Sequence, residues 1–203
     1  MAENMIATQS PGGMAVPPQL VLLRLTASRL YVGFLWGAVL LISGVAWVAG
    51  NSLAFAAVAS GIAAIAATAS WLTAPQAATT RYTIAAALAC DWMVLIYAAS
   101  GTASGFILDA HMLYFIINAF VLAFFCWRTI LIVNTIAAIH HLALSVFLPT
   151  LIWPSQDYAW VHFGVHVFYV VLQTGPLLWL AVRVSALFEQ AHHAAETARA
   201  AHT

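Results

Sequence analysis

The chain has 203 residues and no net charge with neutral histidine, and 64% of it is hydrophobic against 6% charged. Soluble domains carry about 25% charged residues, so this composition is too poor in charge to cover a water-facing surface. It also excludes the basic field of a nucleic-acid binder, and Cys90 and Cys126, both inside apolar runs, form neither a disulfide framework nor a CxxC pair.

Met1 to Pro18 carries the acidic Glu3, lacks a basic leader and is rich in Pro and Gly, so it does not read as a cleaved signal. Gln19–Arg29 predicts a short amphipathic helix with Leu20, Leu23 and Leu30 on one side. Its expected place is the membrane interface, within a cytoplasmic segment 1–29. A helix needs about 20 apolar residues to cross a hydrocarbon core of about 30 Å. Six segments reach or approach that length: Leu30–Ala49, Leu53–Leu72, Tyr82–Ala99, Leu108–Cys126, Ile130–Leu148 and Tyr158–Val182. The breaks between them are Gly50-Asn51-Ser52, a loop beginning at Pro75, the small-residue stretch Gly101 to Gly105, a very short Trp127-Arg128, and Pro149 to Pro154. The Ala, Gly and Ser content of the first two spans suits close helix packing.

The predicted fold is therefore all-α, a polytopic six-helix transmembrane bundle over 30–182. Basic residues concentrate in cytoplasmic loops. With the N-terminus inside, Arg24, Arg29, Arg81, Arg128, Arg183 and Arg199 all fall on the cytoplasmic side, and both termini are cytoplasmic. Arg183 to Thr203 is Ala-rich, with Leu187, Ala191, Ala194 and Ala198 at three- and four-residue steps. It predicts a helix continuing out of the membrane, the start of a signalling helix whose output domain lies beyond this chain.

Ionisable residues inside a span are expensive and mark a functional site by default. Here they gather in the second half: Asp109 and His111, His140-His141, and His162 with His166. Counted at about 1.5 Å per residue, His140 lies roughly 13 Å and His166 roughly 12 Å from the outer edge, and His111 and His162 about 5 to 6 Å. Two levels follow, His111 with His162 and the His140-His141 pair with His166. His162 and His166 share a helix face, whereas His140 and His141 point about 100° apart.

Neutral imidazole is a common ligand for transition metals. Three or four histidines from different helices can close a metal site, with Asp109 as a ligand or holding a ring in place. A haem b instead needs two axial histidines. A proton relay is a further use of such a cluster, and any one buried histidine alone is usually just hydrogen-bonded to a neighbour. His192, His193 and His202 read as solvated tail. Asp91, the one ionisable residue of the third span, is expected to pair with Asn118 or a histidine, or to be protonated by burial. Gly175-Pro176 interrupts the last span and predicts a kink between the histidines and the tail. Asn134, Trp127, Trp153 and Trp160 fit interfacial anchoring.

The stretch from Ile107 to Phe115 (ILDAHMLYF), then Trp127-Arg128, Ile139-His140-His141-Leu142, Val165-His166 and Val170 to Thr174 (VVLQT), resembles the N-terminal membrane region of some bacterial methyl-accepting chemotaxis proteins and of related diguanylate cyclases and histidine kinases. That region reads roughly E-M-H-F-H-x-F, D-W-R, A-x-H-H, V-H-A and V-V-x-E-T, and the resemblance covers spans three to six. By it Asp109 takes the acidic position, and His111, His140, His141 and His166 match family histidines. Leu113 stands where the family often has a second His, Cys126 where it has Asp, and Gln173 where it has Glu. His162 falls outside the pattern. The resemblance implies a bacterial inner-membrane sensor, homodimeric and coupled to a cytoplasmic output.

The leading expectation is thus a transmembrane sensory module that binds a metal ion, copper foremost with zinc or iron as alternatives, or haem, through His111, His140, His141, His166 and His162. It is not expected to be an enzyme. The alternative is a membrane zinc hydrolase using His162-x-x-x-His166 and Asp109. A transporter is weakest, because no inverted repeat is visible.

Overall fold

In a computed structural model the described residues are 16–100, 106–149 and 159–202. They form six helices and no strand: α1 (Pro18–Ala49), α2 (Leu53–Thr73), α3 (Ala78–Ala98), α4 (Phe106–Leu122), α5 (Trp127–Phe147) and α6 (Ala159–Ala200). Five of them are long and apolar enough to cross a membrane, which points to a membrane-embedded, multi-pass protein. The 17-residue α4 is the shorter one. The expected breaks at Gly101 to Gly105 and at 150–154, and the residues Trp153 and Tyr158, lie outside the described residues.

The expected interfacial helix over Gln19–Arg29 is the opening of α1 and continues into the first span without a break. Pro17 and Pro18 explain where it begins, since proline fits the first turn and lacks an amide that would go unpaired there. α1 ends at Gly50, whose φ of 75° is a left-handed cap that glycine adopts without cost. Ser52 then caps α2 by accepting from the Phe55 amide at 3.2 Å. Asn51 Nδ2 donates to the carbonyls of Tyr97, Ala98 and Ser100, tying this turn to the end of α3.

α2 buries a stripe of small residues, Ala56, Ser60, Ala63, Ala64 and Ala67. That stripe lets the backbones of α1, α2 and α3 pack closely together. α3 is the central element, touching α4 and α5 as well, and half of its span is buried. The core runs through Leu35, Ile84, Leu88, Trp92, Ile117, Val121, Phe124, Ile130 and Val133. α6 packs chiefly on α5 and buries only Ala181 among its described residues.

The connection between α4 and α5 differs from the expected one. α4 stops at Leu122, the turn is Ala123 to Cys126, and Trp127-Arg128 already belongs to α5. Phe125 turns the chain with a φ of 42°, a left-handed conformation strained for an aromatic residue. Three side-chain donors hold it: Arg24 Nε donates to the Phe124 carbonyl at 2.8 Å, Arg24 Nη2 to the Phe125 carbonyl at 3.2 Å, and Ser185 Oγ to the same Phe125 carbonyl at 2.7 Å. α6 runs unbroken from Ala159 through Pro176 into the Ala-rich tail, as the tail pattern predicted. Thr174 donates back to the Val170 carbonyl at 2.6 Å beside the proline.

Candidate functional site

Trp92 stands near the middle of α3, 2% exposed, and is the platform of the site. Its ring lies 6.1 Å from that of His111, 6.1 Å from His140 and 5.9 Å from His141, centroid to centroid. The histidines also meet each other: His111 and His141 are 5.9 Å apart, His140 and His141 5.6 Å, and His141 and His166 5.6 Å. Four of the five expected histidines are therefore brought together from α4, α5 and α6, with His141 in the middle.

Local helix geometry sets the chemical state of three of them. Nδ1 of His111 lies 2.6 Å from the Ile107 carbonyl, Nδ1 of His141 3.0 Å from the Ala137 carbonyl, and Nδ1 of His166 2.9 Å from the His162 carbonyl. A carbonyl only accepts, so each Nδ1 carries the proton and donates it. A neutral imidazole held this way keeps its basic lone pair on Nε2. The arrangement repeats three times, always to the residue four positions earlier, and it fixes ring orientation as second-layer contacts do in metal proteins.

His111, His141 and His166 line one cavity of about 440 Å³ between α4, α5 and α6. Its other walls are apolar or aromatic, including Trp92, Tyr114, Phe115 and Phe163, with Ala137 and Ala138 leaving the space. His140 does not line it, because the residue next to His141 on a helix points away from it, and its half-buried ring turns toward Trp92 instead. His162 is exposed, outside the cavity wall, and serves the site through its carbonyl. Asp109 is exposed and outside the wall as well, two residues before His111 and so on the opposite side of α4.

α4 begins at Phe106 rather than Leu108, and the His111 ring meets that of His141, a residue expected at the other level. Among the described residues no three His, Cys, Asp or Glu side chains stand as a group set to hold a metal ion. Two imidazoles on one tetrahedral ion, at metal–nitrogen distances of about 2.0–2.1 Å, have centroids roughly 5 Å apart. The separations of 5.6 and 5.9 Å exceed that by less than about 1 Å. Imidazole nitrogens are transition-metal donors, so the chemistry of the donor set fits a metal, and the rings would have to shift to close on one ion. It also fits haem, which requires only two imidazoles with free Nε2 atoms.

Behind Tyr114 lies a polar network that the sequence did not disclose. The Tyr114 hydroxyl donates to Asn134 Oδ1, Asn134 Nδ2 donates to Asn118 Oδ1 at 2.9 Å and to the Ile130 carbonyl at 2.7 Å, and Asn118 Nδ2 donates to the Tyr114 carbonyl at 3.0 Å. Asn134 is thus a buried strut between α4 and α5 instead of an interfacial anchor. Asn118 is committed there and does not meet Asp91. Asp91 is 3% exposed, lies against Ser60 of α2, and its carboxyl oxygens have no hydrogen-bond partner among the described residues.

Trp92 is the site residue that sequence reasoning missed. A tryptophan at mid-span, far from the interfaces where this residue usually sits, was the available signal. Compared with known proteins, the chain matches no family model, no curated protein and no solved structure.

Proposed function

We propose that the chain is a transmembrane sensory module that binds a metal ion, copper foremost, or a haem through His111, His141 and His166. The observation that carries this reading is the threefold Nδ1–H to carbonyl bond on three histidines that line one cavity. His140 supports the cluster from beside Trp92. A bound ion would draw the three rings together and so join α4, α5 and α6. In this reading the protein is a bacterial inner-membrane protein with α4 as its sixth span and both termini cytoplasmic. α6 relays the state of the site past Gly175 and Pro176 to a cytoplasmic output, within a homodimer. The resemblance to chemoreceptor-type membrane regions and the unbroken run of α6 support it.

The test is a visible absorption spectrum of detergent-purified protein, with elemental analysis of the same sample. A Soret band at about one haem per chain assigns axial roles among these histidines. Near-stoichiometric copper, zinc or iron without that band assigns the compact metal site. Absence of both, in protein from replete cells, defeats the proposal.

A further inference from the structure

A second and larger cavity, about 710 Å³, opens at the other end of the bundle. Its wall contains Arg24, Arg81 and Arg128, against the single carboxylate of Glu189. The N-termini of α3 and α5 reach the same wall at Ala77-Ala78 and Cys126-Trp127, and neither has a side-chain cap. Each uncapped N-terminus offers amides without helical partners and roughly half a positive charge.

The arginines keep donors beyond those the fold uses. A guanidinium has five N–H donors. Arg24 uses Nε and Nη2 on the Phe124 and Phe125 carbonyls. Arg81 uses Nη1 on the carbonyls of Gln76 and Ala77, and its Nε is buried with no hydrogen-bond partner among the described residues. Arg128 lies exposed over the Trp127 ring, 4.6 Å from the centroid. Arg24 and Arg81 line the same cavity. A buried donor without an acceptor and like charges sharing one cavity are both unfavourable, and an anion rich in acceptors relieves both.

We infer that this cavity binds a phosphate group, held by Arg24, Arg81 and Arg128 and by the two helix N-termini. Phosphate matches the donor set because its oxygens accept from several guanidinium and amide N–H groups at once. Two sources offer that chemistry, the headgroup of an anionic phospholipid and free phosphate in solution. The cavity is independent of the histidine site, and it reaches α6 through Ser185 and Glu189, so an occupant touches the helix that leads away from the bundle.

The test is equilibrium binding to the full chain in dodecyl maltoside, probed separately with phosphatidylglycerol, phosphatidylcholine and inorganic phosphate, and read by tryptophan quenching and thermal unfolding. Loss of one charge-assisted contact weakens such binding roughly tenfold. Phosphatidylglycerol is expected to bind saturably and at least tenfold tighter than phosphatidylcholine, and Arg81→Gln and Arg128→Gln are each expected to weaken it about tenfold. His141→Ala should leave it unchanged. If inorganic phosphate binds and displaces the lipid, the free anion is an occupant; if it does neither, the headgroup is. Should Arg81→Gln fail to fold, the exposed Arg128 carries the test. Equal affinity for both lipids with no response to phosphate overturns the inference, and so does undiminished binding in the arginine variants.

Discussion

Trp92 Nε1–H donates to the Ala110 carbonyl across 3.0 Å, so α3 grips the backbone of α4 one residue before His111. The same indole ring faces His111, His140 and His141. One side chain thus sets both the position of the α4 backbone and the packing of the cluster.

Trp92→Phe keeps an aromatic ring but removes the N–H. A net hydrogen bond is worth about 0.5–1.5 kcal/mol and a smaller ring leaves a gap in the core, so the unfolding temperature should fall and, on the proposed reading, metal affinity should fall about three- to tenfold. A competition titration against a chelator of known affinity measures it. Affinity equal to that of the unsubstituted protein would remove Trp92 from the site.

On the proposed reading His141→Ala should abolish cofactor retention, because the His141 ring contacts those of His111, His140 and His166. His162→Ala keeps the backbone carbonyl that serves His166 and, on the proposed reading, should retain the cofactor. Elemental analysis and the visible spectrum of both purified variants decide this, and equal loss in the two would return His162 to the ligand set.

Asn134→Leu deletes the strut between α4 and α5 and strands the Tyr114 hydroxyl and Asn118. A buried polar group left unpaired costs about 1–3 kcal/mol, so unfolding in detergent should shift by that amount. Tyr114 also lines the histidine cavity, so weaker cofactor binding should accompany the shift. Stability equal to that of the parent would mean that the network contributes little.

Phe125→Gly should stabilise the chain. Its φ of 42° costs a non-glycine residue about 1 kcal/mol or more, and glycine removes that cost. The loss of the Phe125 contact with Phe188, at 6.1 Å, works in the opposite direction. A rise in thermal unfolding temperature is expected, and a fall would show that the ring contact outweighs the strain.

Much of this was legible in the sequence for identifiable reasons. Gly50-Asn51-Ser52 announced its turn because only a few residues suit a left-handed cap and a helix start. The meeting of His111, His140, His141 and His166 was foreseeable because intramembrane histidines are costly and seldom scattered. The end of α4 was not. Apolar character continues through Phe124 and Phe125, and the turn there depends on Arg24 and Ser185, 101 and 60 residues away in sequence. Hydropathy carries no trace of such distant partners. Asn134 was misread for a similar reason, since its partners Tyr114 and Asn118 sit on another helix.

The Ser185–Phe125 bond has a mechanical consequence. It holds α6 about 28 Å from His166 in one direction and about 22 Å from Ala200 in the other, counting 19 and 15 residues of helix. In the proposed relay, an α6 that moves as one body is a lever with arms of these lengths, and its fulcrum is the strained turn clasped by Arg24. Tilting such a rod by about 5° displaces its two ends by about 2 Å each, in opposite directions.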